Sequence, residues 1–353
     1  MSKVDIFQKL KYYTAKDLPL VIFAEPNSQQ VHLYVQRDKK LHKLDTFTED
    51  GFVMAPFDES EDMLFIPFNN TEYYTENIGV EVMEEALVQH NRTKQQQEQH
   101  ERLVAQGIDF IASGKADKIV LAREEQVVLN NWVPQIVMQR LLGLYPTAFR
   151  FMWYHPKVGW WCGATPETLV QAEKDIFFTM ALAGTRPYKG VEPNWRSKER
   201  AEQQYVTDMI VDEIKPLCES IRVSDTYTQP AGLVAHLRTD IDGVMKADTS
   251  LNDIARAIHP TPAICGTPTK VAQDFILKEE NFHRKFYAGF LGIIQCEKKS
   301  RLYVNLRSMM VKDKTAFLFI GGGITIDSNP HEEWIETCNK TQTMLRVLKP
   351  LVE

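Results

Sequence analysis

The sequence predicts an α+β chain whose sheet is mainly antiparallel, and three observations carry that reading. Strand-like runs at 149–162, 168–171 and 176–183 follow one another within a few residues, whereas parallel pairing needs a crossover of a dozen or more. Helix-forming stretches at 81–114, 197–222, 251–258 and from Pro330 onward stand apart from those runs. No Gly/Ser-rich or Pro-rich linker and no internal repeat interrupts the 353 residues, so a single domain over 1–353 is expected rather than two. The strand spacing argues against a doubly wound nucleotide-binding fold.

Composition narrows the functional classes. A hydrophobic content of 44% with 25% charged residues is that of a globular chain, and a net charge of −6 without a basic stripe argues against a nucleic-acid partner. The five cysteines are widely spaced, odd in number and contain no CxxC, which suggests neither a disulfide framework nor a zinc site. The first residues lack the apolar core of a signal peptide, and no apolar run is long enough to span a bilayer. A soluble, cytoplasmic protein with no membrane partner is the expectation.

Taken in order, the apolar runs at 19–23 and 31–35 alternate with turn residues, so strands and hairpins are expected over about 1–90. The helix-prone stretch 81–114 offers Leu103, Ile108 and Ile111 to the core. Lys118 enters a strand over 118–123, and there it is either a solvated edge charge or, if desolvated, a general base, since burial favours a neutral amine. The aromatic strands of 149–162 turn at His155-Pro156 and lead into Gly163-Ala-Thr-Pro-Glu167. Glu167, just past a glycine and beside a proline, reads equally as a turn residue or a general acid.

The helix over 197–222 has Val206, Met209, Ile210 and Ile214 available for burial, and Glu202 lies on the side of Val206 and Met209. An inward carboxylate needs a partner, and a metal would be one. His236, in a strand over 235–239, is either a structural histidine or a ligand. The prolines of 259–268 exclude helix and central strand, leaving a shaped loop of the sort that walls a site. Strands are expected over 287–294 and 302–311. In the second, Tyr303, Asn305, Arg307 and Met309 share a face, which projects Arg307 toward a site suited to bidentate carboxylate recognition.

The most informative stretch is 317–340. An apolar strand at 317–320 runs into Gly321, Gly322 and Gly323, which let a backbone pass close to a ligand. Asn329 then serves as N-cap, Pro330 takes the first helical position and Glu332 completes a capping box. On that helix Glu333, Glu336 and Lys340 are spaced i, i+3, i+7 and share a face. This is either a tight turn before a solvated helix face or a site for a divalent cation with an anionic small molecule.

KIVLAR, GATPETLV, LAGTRP, AEQQYVTD, AHLRTDIDG, HPTPAICGTP, FYAGFLG, YVNLR and GGGITIDSNPHEEWIETCNK occur in that order. Together they resemble the chorismate-utilising enzymes and, within them, the isochorismate synthases. The resemblance covers about 115–353, the region that would hold the catalytic motifs. It implies two large, mainly antiparallel sheets packed together with helices on the outside, and a magnesium-dependent site near the sheet centre. Under it, Glu202 and Glu336, with Glu333 close by, hold Mg²⁺; Lys118 is the general base and Glu167 the general acid. Arg307 and Lys340 anchor a carboxylate, with help from the backbone of Gly184, Thr185 beside it, Gly321 and Gly323. His236 and Ala263 line the substrate ring.

The implied reaction is isomerisation of chorismate to isochorismate, feeding menaquinone or catecholate siderophore synthesis: water adds at C2 while the C4 hydroxyl leaves. Two other readings are a salicylate synthase of the same fold and a non-catalytic relative that keeps the cation site. Lys118 favours water over ammonia as nucleophile, so no glutaminase subunit is expected. Ala263 stands where salicylate synthases of this family carry threonine. A mere binder has no need of Lys118 and Glu167 as an acid and base pair.

Overall fold

The structure is a computed structural model that describes residues 5–79, 81–188, 190–231 and 234–352. Its chain passes repeatedly between two antiparallel sheets. Helix α1 (Ile6–Ala15), capped by the Asp5 carboxylate, precedes β1 (Leu20–Ala24) and β2 (Gln30–Gln36) of the first sheet. Strands β3 (His42–Leu44), β4 (Gly51–Ala55) and β5 (Met63–Pro67) belong to the second, and β6 (Thr71–Asn77) returns to the first. Helix α2 (Lys94–Ala112) leads to β7 (Lys118–Val128), α3 (Pro134–Leu144), β8 (Phe149–His155) and β9 (Gly159–Thr165), all three strands again in the first sheet.

The second sheet then receives β10 (Thr168–Glu173), β11 (Ile176–Pro187), and, after α4 (Ser197–Ile214), β12 (Cys218–Val223), β13 (Tyr227–Ala231) and β14 (Val234–Met245). Helix α5 (Leu251–Ile258) precedes β15 (Gly266–Thr267) of the first sheet. Helix α6 (Thr269–Glu279) precedes β16 (Phe290–Ile294) and β17 (Lys299–Val304) of the second. The chain ends with β18 (Ser308–Lys312) and β19 (Thr315–Ile324) in the first sheet and the long α7 (Pro330–Val352). The first sheet runs β15-β7-β19-β18-β9-β8-β1-β2-β6 and the second β12-β14-β11-β10-β17-β16-β4-β5-β3, with β13 on β14. Early strands pair with late ones in both sheets, β1 with β8 and β4 with β16.

Side-chain alternation explains why several strands are apolar throughout. Val21 and Phe23 of β1 face a core that also holds Phe52, Trp153, Trp161, Phe177 and Phe319, contributed by both sheets. Their neighbours Leu20, Ile22 and Ala24 face the opposite way, into a second core with Leu10 of α1, Leu141 of α3 and Leu348 of α7. A strand covered on both faces has no polar side to display. No helix among the described residues is long and apolar enough to cross a membrane, and all five cysteines are free thiols.

Strands and hairpins are expected over about 1–90, but that region opens with the helix α1, started by the Asp5 cap, and four other expected elements are redrawn. The helix expected over 197–222 stops at Ile214, because Pro216 removes an N–H the helix would need; a 3₁₀ turn, Lys215–Leu217, and β12 follow. The helix expected over 81–114 starts only at the Thr93 cap, where Thr93 and Gln96 form a capping box. The preceding residues form no regular element and are tied to α7 through Val88 and Gln342. The strand expected over 287–294 starts at Phe290, after a turn in which Lys285 and Ala288 have positive φ. The strand expected over 302–311 is two strands in different sheets. Residues 305–307 carry the chain across, with Arg307 at φ 49°, so Tyr303 and Met309 end in different cores rather than on one face with Arg307.

Candidate active site

Two of the sheet crossings lie side by side and present Glu167 and Arg307. The first, after β9, contains Pro166 and Glu167; the second, after β17, contains Arg307. Val304 N–H donates to Glu167 O at 2.9 Å, Ala164 N–H donates to Arg307 O at 3.1 Å, and Thr165 Oγ1 donates to Val304 O at 2.5 Å. Backbone hydrogen bonds thus hold the two crossings together. Burial pushes the Glu167 carboxyl up to about 7, opposed by the positive charge of Lys118.

Lys118 opens β7 and is partly buried, with its Nζ 3.4 Å from Oε1 of Glu202 on α4. A Cβ at Gly323, which pairs across the ladder with Val120, would come within 2.9 Å of Lys118 Cε, so the glycine leaves the space the lysine fills. Gly321 and Gly323 line a cavity of about 140 Å³ with Ala263, Arg307, Lys340 and Tyr287. Lys340 Nζ donates to Gly321 O at 2.9 Å and pairs with Glu336 Oε1 at 2.6 Å. The Arg307 guanidinium reaches Lys340 O and Thr343 Oγ1, each at 3.5 Å. Burial holds its pKa below the ordinary value, opposed by Tyr287, Tyr145 and Glu336. Two cations therefore meet at one cavity, facing the glycine backbone.

Gly184 occupies a bulge in β11 at φ +65°, where a Cβ would sit 3.2 Å from Glu199 Cβ. His236 Nδ1 lies 3.3 Å from Gly184 O, and burial lowers the His236 pKa. These two connect to the Lys118 group through α4, which carries both Glu199 and Glu202. The backbone of Thr185 pairs with His236; its side chain lies outside the described residues.

The three expected metal ligands offer only oxygen, which suits a hard divalent cation. Asn329 caps α7 as expected, its side chain accepting from His331 and Glu332 N–H. The Glu333 carboxyl is raised mainly by burial and further by the Glu336 charge, while Ser328 Oγ donates to it at 2.8 Å. A divalent charge between Glu333 and Glu336 would relieve their repulsion. In the structure Glu202 is met by Lys118 and Glu336 by Lys340, and among the described residues no group of three or more His, Cys, Asp or Glu side chains is gathered for a metal. The donor chemistry fits, with ammonium groups supplying the positive charge in this arrangement.

Tyr287, expected in a strand, lies before β16 and lines the cavity. Its side chain is buried at the cavity, and a Cβ on Gly321 would lie 3.0 Å from its hydroxyl. The positive φ of Ala288, which turns the chain there, had no glycine to announce it.

Residues 66–349 match the model of the chorismate binding enzymes. The chain belongs to that family. It is similar to the salicylate biosynthesis isochorismate synthase of Pseudomonas aeruginosa, at 30% identity over 276 residues, 75% of this chain and 58% of that protein. It is also similar to isochorismate synthase EntC of Escherichia coli K12, at 27% identity over 70% of this chain and 66% of the relative. The chain thus spans about three-fifths to two-thirds of these relatives. A crystal structure of a candidate 2,3-dihydroxybenzoate-specific isochorismate synthase, DhbC of Bacillus anthracis, superposes with a TM-score of 0.80 at 25% identity, covering 99% of this chain and 100% of that one. In this chorismate-binding family member the expected architecture, two large antiparallel sheets packed together with outer helices, is the one observed.

Proposed function

We propose that the protein is a Mg²⁺-dependent isochorismate synthase, converting chorismate to isochorismate. The observation that carries this reading is the cavity where Arg307 and Lys340 face the backbone of Gly321 and Gly323, held by backbone hydrogen bonds beside the crossing that carries Glu167, whose carboxyl burial raises to about 7. An acid that keeps its proton near neutrality, opposite an amine, is the pair that an exchange of hydroxyl positions requires.

Chorismate is a dianion. Arg307 and Lys340, converging beside the glycine backbone, bind one carboxylate and fix the ring against Ala263. Glu202, Glu333 and Glu336 would hold Mg²⁺, which when bound supplies the positive charge that neutralises the other carboxylate. Lys118, as the amine, accepts a proton from the water that adds at C2. Glu167, as the acid, gives its proton to the C4 oxygen, which departs as water while the ring double bonds shift. One water enters and one leaves, so the product is an isomer, and exchange with solvent restores both groups.

Incubation with chorismate and Mg²⁺, followed by chromatography of the products, tests the proposal. Isochorismate is expected. Salicylate as the sole product, or no consumption of chorismate, rejects it.

A further inference from the structure

Glu280, the C-cap of α6, and Arg284 form an ion pair whose side chains are 2% and 3% exposed. An isolated buried pair contributes little to stability once desolvation is counted, so what else the two touch matters. β7 has a short outer neighbour: β15 covers only Lys118 and Ile119, opposite Thr267 and Gly266. Beyond it, Val120 N–H donates to Cys265 O at 2.8 Å. The next backbone groups on that edge are met by side chains. Ala122 N–H donates to Glu280 Oε1 at 2.7 Å, and Arg284 Nη2 donates to Val120 O at 2.7 Å.

The pair is held rigidly. Arg284 Nη2 and Nε donate to the two Glu280 oxygens at 2.6 and 2.8 Å, and the guanidinium lies 4.3 Å from the Phe57 ring centroid. Its remaining arm, Nη1, donates to Ile264 O at 3.2 Å, next to Ala263 in the cavity wall. One guanidinium therefore bonds both to the strand that begins with Lys118 and to the loop that carries Ala263.

We propose that Glu280 and Arg284 are positioning residues that stand in for a missing edge strand along β7 and fix Lys118 relative to the wall formed by Ala263 and Ile264. The planar fork of arginine makes bonds in several directions that a lysine ammonium at this site cannot reproduce together. The catalytic part of this inference rests on the proposed isomerase reading of Lys118. The edge-completing part does not.

The test compares the wild type with Arg284→Lys and with the double variant Glu280→Leu/Arg284→Met, in which apolar side chains of similar volume replace the pair. Apolar replacement commonly offsets the loss of a buried ion pair but here also leaves the Ala122 N–H and the Val120 and Ile264 carbonyls without these partners, so a purely structural pair predicts that activity tracks the melting temperature. Positioning predicts otherwise: in the double variant kcat for chorismate stays down by about 10²-fold, with KM near the wild-type value. Amide hydrogen exchange over 118–122 and 263–265 accelerates by about tenfold or more, because those bonds are gone. Wild-type kcat in a double variant that melts like the wild type overturns the proposal, as does unchanged exchange in both segments. If the double variant does not fold, the same readings on Arg284→Lys decide. If the wild type fails to consume chorismate, the isomerase reading falls, and exchange alone decides whether the pair completes the edge.

Discussion

Lys118 Nζ lies 3.4 Å from Glu202 Oε1, across 84 residues of sequence and between the first strand of the site and the helix packed on the second sheet. Removing the Lys118 side chain leaves Arg307 and Lys340 to bind substrate, so Lys118→Ala is expected to retain chorismate affinity and to lose roughly 10²–10⁴-fold in kcat. Calorimetric titration with chorismate beside steady-state rates checks both halves; a variant with full activity contradicts the role of base.

Glu167 sets the pH behaviour. Its acid form donates, so the limb of kcat/KM that Glu167 governs should fall as pH rises through about 7. Glu167→Gln should lose that limb along with most of the rate. The same shift enters stability with a defined sign. The folded pKa lies above the ordinary 4.5, so the contribution of Glu167 is fully present below about 4.5 and is lost as pH rises through about 7. Melting curves at about pH 5 and about pH 8 should show the wild type losing stability relative to Glu167→Gln.

The exposed side of α7 carries the cation prediction. Glu336 is half-exposed and pairs with Lys340, so Glu336→Ala should fold with unchanged circular dichroism yet show no Mg²⁺-dependent turnover. Chelation should silence the wild type, and added Mg²⁺ should restore the wild type alone.

Gly323 provides a purely steric test. A Cβ there would press on Lys118 Cε at 2.9 Å, and a flexible lysine can yield without disturbing the backbone. Gly323→Ala should therefore melt near the wild-type temperature while kcat drops by about 10²-fold, as misplacement of a catalytic group does. An alanine variant with normal kcat would show that the lysine position does not matter.

What the sequence determined by itself was local. The apolar run of β1, the Asn329 cap, the three glycines that end the apolar run of β19 and the helical spacing of Glu333, Glu336 and Lys340 all follow from composition, periodicity and backbone chemistry within a few residues. The order of the motifs added the family, and with it positions for Lys118, Glu167 and Arg307. Tertiary structure alone decided what each of those residues faces: Glu202 for Lys118, Lys340 and Thr343 for Arg307. Nothing near Arg307 distinguishes one ten-residue strand from two strands in different sheets, because both halves are apolar and alternate; only pairing of β17 with β10 and of β18 with β9 bends the chain at 305–307. Likewise Glu280 and Arg284 look like an ordinary i, i+4 pair until β15 proves too short to cover β7. Local forces choose an element, but an edge left unpaired or a crossing between sheets depends on partners more than a hundred residues away, and no short window of sequence contains them.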